Sequence, residues 1–204
     1  MANAIKPMGL VPIQHLNGSA YNGAGRIYSI SPTYASMLRQ GDPVTLSGTG
    51  DANGVPGITL ATAASGPILG AVLGIGKGPT MLANPSNPNS TIFPAGGDGT
   101  SGPWYALVED SPDVLYSIME PTQTTQFTAA DIGLNSKLTA GSTSTFQSDW
   151  TLAAGDGSTT PETTSTLPVQ LLGLVQTPGN SFGAGAQWLC RINVHQFAAG
   201  VAGV

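Results

Sequence analysis

Glycine and proline interrupt this chain so often that a long helix has no room to form. There are 28 glycines and 16 prolines among the 204 residues, about twice and one and a half times their average usage. Both residues are unfavourable inside a helix but suit the turns that join short strands. The sequence therefore predicts an all-β protein, an antiparallel β-barrel or sandwich with long Gly/Pro/Thr-rich loops.

Nine apolar or β-branched segments are bounded by turn residues, as strands are. The segment 68–75 is apolar on both faces, which predicts a strand in the middle of the domain. The nine predicted strands are 26–30, 43–46, 55–60, 68–75, 104–109, 114–119, 137–139, 167–176 and 187–197.

The last predicted strand can be interpreted face by face, because alternate side chains of a strand point to opposite sides. Trp188, Cys190, Ile192 and Val194 fall on one face, which we predict to be the core side. A buried thiol in apolar surroundings is usually inert packing. Arg191 falls on the opposite face and is the more plausible polar contact for a partner.

Two segments carry the start and stop signals of single helical turns. Ser31 is a candidate N-cap for residues 32–40, which Gly41 would end, and Thr128 precedes a similar segment at 129–132. Neither segment is long enough to organise the fold. We therefore expect at most one-turn helices.

The first sixteen residues combine apolar side chains with two prolines. Pro7 and Pro12 disfavour both a helix and a central strand, so we expect an extended N-terminal arm over residues 1–16 and a single β-rich domain over residues 17–204. The arm looks too extended to bury its apolar side chains alone, so it either contacts a partner or folds back onto its own domain. These side chains are Ile5, Met8, Leu10, Val11 and Ile13.

The scarcity of charge excludes several classes of function. Only 8% of the residues are charged, where about 25% is usual. The net charge is -5 and the six basic residues are scattered, so there is no basic patch for nucleic acid. Disorder needs low hydrophobicity with high net charge, whereas 40% of this chain is hydrophobic.

The chain shows no sign of secretion or of membrane insertion. Its first residues contain no apolar run typical of a signal peptide, and glycine breaks the other apolar stretches well short of the ~20 residues that a membrane span needs. We therefore expect synthesis in the cytoplasm and no membrane contact. Cys190 is the only cysteine, which excludes an internal disulfide and a cysteine-only metal cluster.

One short motif resembles a hydrolase signature. Gly179-Asn-Ser-Phe-Gly183 matches the G-x-S-x-G string of a nucleophile elbow, but that motif requires a helix after it, and a predicted strand follows here. In hydrolases with this motif, the serine is followed along the chain first by an Asp or Glu and then by a His. No acidic residue follows Glu162, so this order is not met here. Ser181 is therefore predicted to lie in a tight turn.

Two glycine-rich strings lack the residues that would complete a binding loop. Gly74-Ile-Gly-Lys-Gly78 resembles part of a phosphate loop, but Pro79 follows and the motif is incomplete. Asp51-Ala-Asn-Gly54 could open a calcium loop, but Thr62 stands where the bidentate glutamate is required. We interpret the second string as an Asp/Asn/Gly turn between strands.

The remaining titratable groups do not form a recognisable catalytic set. Glu109, Asp110 and Asp113 are a local carboxylate cluster, which more simply makes a solvated turn between two strands. His15 and His195 are far apart and lack the spacing of metal ligands. We therefore expect no enzyme activity, no cofactor and no metal.

The order of short motifs along the chain is distinctive. After Met1-Ala-Asn-Ala4, the start reads Pro7-Met-Gly-Leu-Val-Pro-Ile-Gln-His-Leu-Asn-Gly-Ser19, and the last strand reads Trp188-Leu-Cys-Arg-Ile-Asn-Val-His-Gln-Phe197. Between them lie Gly41-Asp-Pro-Val44, Asp51-Ala-Asn-Gly-Val-Pro56, Ile68-Leu-Gly-Ala-Val-Leu-Gly74, Tyr105-Ala-Leu-Val-Glu-Asp-Ser-Pro-Asp-Val114 and Ala130-Asp-Ile-Gly-Leu-Asn135. In this order the motifs resemble the head decoration, or cement, proteins of tailed bacteriophages over nearly the whole chain.

The resemblance implies a virion protein on the outer surface of an icosahedral capsid, made in the host cytoplasm. It implies that the protein binds the major capsid protein, stabilises contacts between capsid subunits and associates with itself as a homotrimer. In that setting the expected capsid or partner contacts are Ile5, Met8, Leu10, Val11, Ile13 and Arg191.

An alternative function is a carbohydrate- or receptor-binding β-module of a phage fibre or tail. Such sites place aromatic side chains beside carboxylates, and Trp104-Tyr105 with Glu109-Asp110 is the place in the sequence that fits. Without such a site, Trp104, Trp150 and Trp188 are expected in the core.

Overall fold

The structure is a computed structural model that describes residues 3–78, 81, 83, 88–97, 99, 102–122, 125–141, 146–153 and 161–198. Its regular structure over these residues is almost entirely β, with a 3₁₀ turn at Ala129–Asp131, which confirms the all-β prediction. The strands are β1 (Val11–His15), β2 (Arg26–Ile30), β3 (Leu38–Arg39), β4 (Pro43–Gly50), β5 (Pro56–Leu60), β6 (Gly70–Lys77), β7 (Ile92–Phe93), β8 (Trp104–Glu109), β9 (Val114–Met119), β10 (Asn135–Ser136), β11 (Leu138–Thr139), β12 (Thr151–Leu152), β13 (Val169–Leu174) and β14 (Gln187–Ile192).

Five strands close into a barrel in the order β2-β5-β4-β6-β8. Four of the strand pairs are antiparallel, and β2 closes the barrel against β5 as a parallel pair through Ser29 and Gly57. Side chains fill the interior, so the barrel is a packed core. Those of the barrel core are Tyr28, Ile30, Leu38, Val44, Ile58, Leu69, Val72, Ile75, Phe93, Trp104, Ala106 and Val108.

A second, five-stranded antiparallel sheet has the order β1-β9-β14-β13-β10. Trp188, Cys190 and Ile192 of the central strand are buried in its core, as alternation predicted, whereas Val194 lies beyond the end of the strand and is half-buried. Two small ribbons, β3 with β7 and β11 with β12, complete the strand pairing.

The segment that is apolar on both faces separates the two cores. Ile68 and Ala71 pack in the core of the five-stranded sheet, whereas Leu69 and Val72 pack in the barrel core. The prediction of a central position is confirmed. Burial of both faces explains why this segment has no alternation of polar and apolar residues.

The predicted helical turn over residues 32–40 is wrong. The Ser31 carbonyl accepts a hydrogen bond from the Tyr34 N–H in a tight turn, and Leu38 then enters β3 and is fully buried. The pairing of β3 with β7 therefore determines the conformation at Leu38 and Arg39, in spite of the helix N-cap signal at Ser31. The other predicted turn is confirmed, because Thr128 caps Ala129–Asp131 with a capping box.

The last predicted strand ends earlier than expected. Its ladder stops at Ile192, because the Asn193 N–H turns to the Pro168 carbonyl and the Asn193 side chain donates to the carbonyls of Ser165 and Leu167. Parts of the long loops predicted at 77–102 and 153–166 lie outside the described residues.

The described residues include no helix with the length and apolar character needed to cross a membrane.

Candidate interaction surface

The N-terminal arm is anchored to its own domain around Leu10. The Leu10 side chain is 1% exposed, and its N–H donates to the Gly41 carbonyl at 2.9 Å. The following residues form β1, which pairs with β9 at one edge of the five-stranded sheet. The arm thus folds back onto its own domain over residues 10–15. The prediction that Leu10 contacts a partner is therefore wrong, because its side chain is buried in the core of its own domain.

The tip of the arm is fixed by Asn3, which lies across a loop near the other end of the chain. Its Nδ2 donates to the carbonyls of Ser181 and Ala184 at 2.8 and 3.1 Å, and its Oδ1 accepts from the Ser181 N–H at 3.1 Å. A Cβ at Gly185 would lie 3.3 Å from Ile5 Cγ1, so the arm and this loop are in close contact. A hydrogen-bonded crossing of this kind holds both segments in place.

Three large apolar side chains are exposed around this crossing. Ile5 is 58%, Met8 41% and Phe182 45% exposed. We call these three residues the arm surface. A groove of about 480 Å³ runs beside it, and its lining includes Lys6, Met8, Thr177, Pro178, Asn180 and Gln187.

The loop below the arm surface is held rigidly. Asn180 Nδ2 donates to the carbonyls of Val175 and Gln187, and Asn180 Oδ1 accepts the Gln187 N–H. The Phe182 ring packs on buried Trp188 with centroids 5.6 Å apart. Because the loop is already ordered, a partner would lose little conformational entropy in binding it.

The structure separates the other predicted contacts from the arm surface. Val11 and Ile13 are half-buried in β1. Arg191 is also half-buried, and its Nε donates to Gln170 Oε1 at 2.8 Å. Of the six predicted residues, Ile5 and Met8 remain exposed large apolar contacts.

Phe182 was missed because its neighbourhood is assembled from distant parts of the chain. It lies in the string that was considered as a nucleophile elbow. The structure places Ser181 in a loop, where its N–H donates to Asn3. A single large aromatic among Gly, Ser and Asn residues was the local signal that could have drawn attention to it.

Two members of the predicted carboxylate cluster, Glu109 and Asp110, are buried at the corner between the barrel and the sheet, whereas Asp113 is exposed. Asp110 Oδ2 accepts hydrogen bonds from the Tyr28 hydroxyl at 2.5 Å and from Arg26 Nε at 2.7 Å. Glu109 Oε1 accepts the Ser111 N–H at 3.0 Å, and burial raises the pKa of Glu109. Glu109 and Asp110 are 3% and 5% exposed, so the prediction of a solvated turn is wrong for both.

The same burial removes the site proposed for a carbohydrate- or receptor-binding module. Trp104 is 7% and Tyr105 0% exposed, so neither ring is presented beside an accessible carboxylate. The predicted core position of Trp104, Trp150 and Trp188 is confirmed.

Asp51 forms the turn that the sequence predicted. Its Oδ1 accepts the N–H groups of Asn53 and Val55, and its Oδ2 accepts the Tyr105 hydroxyl. These bonds lower the pKa of Asp51, against the opposing effect of desolvation. No cluster of three or more His, Cys, Asp or Glu residues suited to a metal ion occurs in the described part of the chain.

Cys190 is fully buried in the centre of the five-stranded sheet. Burial raises the pKa of its thiol to about 12, so the nucleophilic thiolate does not form near neutral pH.

No protein-family model, curated protein or solved structure matches this chain.

Proposed function

We propose that this protein is a structural virion protein, which decorates the outer surface of an icosahedral phage head as a homotrimer and stabilises contacts between major capsid subunits. The observation that carries the proposal is the arm surface of Ile5, Met8 and Phe182, three exposed apolar side chains on an ordered crossing of two chain segments. The order of sequence motifs, which resembles that of head decoration proteins, supports the same function.

The composition fits binding through shape and buried area. With 8% charged residues and a net charge of -5, the chain has little capacity for electrostatic steering. Burial of apolar surface contributes about 25 cal/mol per Å², and stable interfaces bury roughly 800 Å² on each partner. The arm surface would thus be the centre of a larger contact that includes the neighbouring groove.

A protein of this kind stabilises the shell by mass action. Any ligand that binds the assembled shell and not its separated subunits shifts the equilibrium toward the assembled state. No catalytic step is needed, and the buried carboxylates Glu109 and Asp110 then have a structural role.

The proposal can be tested by adding purified protein to phage heads that lack it. We expect saturable binding, with density on the outer shell in cryo-electron micrographs. The double variant Ile5→Ser/Phe182→Ser should bind at least about tenfold more weakly, a loss of roughly 1.4 kcal/mol, at a temperature where its circular dichroism spectrum still matches that of the folded original protein.

The matched control is Leu16→Ser/Ile132→Ser, which replaces two apolar side chains of similar exposure outside the arm surface. It should bind like the original protein. Equal loss in both double variants would show that the arm surface is not the contact. Location of the protein in the tail, or no binding to heads, would overturn the proposed function.

A further inference from the structure

Three asparagines of this chain precede a glycine, and the structure holds the three pairs differently. They are Asn17-Gly18, Asn22-Gly23 and Asn53-Gly54, and all three pairs are exposed. An asparagine before a glycine is especially prone to lose its side-chain amide, because a glycine N–H has no neighbouring side chain to shield it. Exposure is common to the three pairs, so their hydrogen bonds decide which of them can react.

The reaction is an attack of the glycine backbone nitrogen on Cγ of the preceding asparagine. The N–Cγ bond forms as the N–H proton is taken up by solvent, and the Cγ–Nδ2 bond breaks as the amide leaves as ammonia with a proton from solvent. Water then opens the succinimide ring at either carbonyl, which yields aspartate or isoaspartate. The reaction therefore needs only water as a co-reactant, together with an available N–H and a carboxamide placed close to it.

Two of the pairs lie in turns that occupy the glycine N–H. The Gly18 N–H donates to the His15 carbonyl at 2.9 Å, and the Gly54 N–H donates to the Asp51 carbonyl at 3.1 Å. In each turn, the proton that the reaction must remove is held in a hydrogen bond and the nitrogen is fixed toward that carbonyl. Reaction at these pairs therefore requires the turn to open first.

The Asn53 side chain is held as well. Its Nδ2 donates to Asp51 Oδ2 at 3.1 Å and to the Tyr105 hydroxyl at 3.2 Å. Both bonds must break before this amide can leave as ammonia. We therefore expect Asn53 to be the slowest of the three asparagines.

The pair Asn22-Gly23 lacks this protection. The Gly23 N–H has no acceptor among the residues that the structure describes, and no atom lies within 4 Å of a Cβ added at Gly23. Asn22 Oδ1 accepts the Ala24 N–H at 3.0 Å, which holds the carboxamide against the backbone that follows it. The same bond polarises the side-chain carbonyl and makes Cγ a better electrophile.

Asn17-Gly18 is a matched comparison for Asn22-Gly23. Asn17 Oδ1 accepts the Ser19 N–H at 2.9 Å, just as Asn22 Oδ1 accepts the N–H two residues ahead. Gly18 and Gly23 also have similar φ angles, +85° and +81°. The hydrogen bond of the Gly18 N–H is therefore the main difference between the two pairs.

The chain around Asn22 can absorb a change in backbone length. On one side, the Tyr21 N–H donates to the Ile13 carbonyl at 3.2 Å. On the other side, a Cβ at Gly25 would lie 2.8 Å from the Val108 oxygen, so the chain is closely packed again there. The extra main-chain methylene of an isoaspartate would extend into the open space at Gly23, between these two anchored points.

We propose that Asn22 is a site of spontaneous deamidation, at which a neutral surface amide becomes a carboxylate as the protein ages. The modification adds one negative charge to a chain whose net charge is -5, so each molecule carries a chemical record of its age. The inference does not depend on the proposed function, because the reaction needs only the isolated chain and water.

The test is a time course of the folded, full-length protein in mildly alkaline buffer, followed by peptide mapping with mass spectrometry. Fragmentation of the peptides assigns each deamidated position, and electron-transfer fragmentation distinguishes isoaspartate from aspartate. We expect Asn22 to react at least about tenfold faster than Asn17 and Asn53, with both products present at position 22.

Two controls separate the structural cause from the local sequence. In urea that unfolds the protein, the turns that hold Gly18 and Gly54 are lost, so the tenfold advantage of Asn22 should disappear. Asn22→Gln lengthens the side chain, and the six-membered ring that it would form closes much more slowly than the succinimide. This variant should give no product at position 22 and should leave the rates at Asn17 and Asn53 unchanged.

Three results would overturn the proposal. The first is an equal rate at Asn22 and Asn17 in the folded protein, and the second is no product at Asn22 over a period in which the unfolded protein reacts. The third is an advantage of Asn22 that persists in urea, because the local sequence and not the unbonded Gly23 N–H would then be its cause.

Discussion

The backbones of Gly9 and Gly41 pack so closely that neither position has room for a side chain. A Cβ at Gly9 would lie 2.1 Å from the Gly41 oxygen and 2.3 Å from Ser148 Oγ, and a Cβ at Gly41 would lie 2.1 Å from the Met8 oxygen. Both glycines have positive φ angles, +69° and +90°. The close contact of the two backbones allows the Leu10 N–H to donate to the Gly41 carbonyl, and it places the Leu10 side chain in the core.

Gly9→Ala should therefore detach the arm or destabilise the whole fold. Gly18→Ala is the matched control, because Gly18 also has a positive φ of +85° but has no atom within 4 Å of an added Cβ. The control should lower the free energy of unfolding only by the roughly 1–2 kcal/mol that it costs to hold an alanine in the left-handed conformation. Gly9→Ala should lose clearly more in urea unfolding and should expose the arm to protease. Equal losses would show that the close packing is unimportant.

Asp42 should make the folded protein less stable at neutral pH than at mildly acidic pH. Burial raises its pKa from the 3.8 of an exposed aspartate to about 6 in the fold. Between these two pKa values the folded state holds the Asp42 proton more tightly than the unfolded state does. The contribution of Asp42 to the free energy of unfolding therefore falls as the pH rises from about 4 to about 6, and it is constant above that range. Asp42→Asn should raise the free energy of unfolding at about pH 8 by at most roughly 3 kcal/mol, and scarcely at about pH 4.

The comparison between variant and original protein at each pH isolates Asp42. Other buried groups also titrate, since burial raises the pKa of Glu109 and Glu120 and lowers that of His195, but their contributions cancel in the difference. Urea unfolding at both pH values provides the measurement. A difference that does not vary with pH would contradict the raised pKa of Asp42.

Glu120 should be intolerant of even an isosteric change. It is fully buried and accepts two donors, the Phe127 N–H at 2.6 Å and Trp188 Nε1 at 2.8 Å. In Glu120→Gln the amide NH₂ would face one of these donors, so we expect a loss of about 1–3 kcal/mol in chemical unfolding. The exposed Glu162→Gln should change stability by less than about 0.5 kcal/mol, and a similar effect of both would refute the role of Glu120.

Gly141 leaves the space that the Asp149 carboxylate occupies. A Cβ there would lie 1.7 Å from Asp149 Oδ1 and 2.6 Å from the Asp149 backbone carbonyl carbon, so Gly141→Ala should displace the carboxylate from its ion-pair partner Arg39 and also shift the Asp149 backbone. Removing one partner of a buried ion pair costs about 3–5 kcal/mol. Asp149→Ala should cost a similar amount, and the double variant less than the sum of the two losses, because the carboxylate is lost only once while the backbone contact of the added Cβ remains. Additive losses in unfolding would contradict this shared mechanism.

Cys190 should be inert toward thiol reagents in the native protein. It is fully buried and its pKa is raised to about 12, so modification requires opening of the central sheet. We expect labelling by an aromatic disulfide at the rate of unfolding, with a steep dependence on denaturant. Rapid labelling in buffer alone would contradict the packing of β14.

Local patterns predicted those elements whose signals are contiguous in sequence. The bounds of β8 and β9 match the prediction, because Pro103 precedes the continuous apolar run of β8 and the Ser111-Pro112 turn separates the two strands. β3 and β7 were not predicted, since two residues carry no recognisable period. The pairing of Leu38 with Phe93 is determined by the barrel core.

The candidate surfaces depend on contacts that no local pattern contains. Exposure of Ile5 and Met8 agrees with the predicted arm, but their neighbour Phe182 is brought there by Asn3, which is 178 residues away from Ser181. The sequence analysis made no prediction about Asp42, whose buried carboxylate accepts the Arg39 N–H.

The position of β14 has a consequence for biosynthesis. This strand follows every other described strand in the sequence, yet it lies between β9 and β13 in the middle of its sheet. Until it emerges, both neighbours have an open edge, and Asn3 lacks its partners at 181–184. A nascent chain therefore cannot display the arm surface, so only molecules whose translation has passed β14 can compete for a binding position.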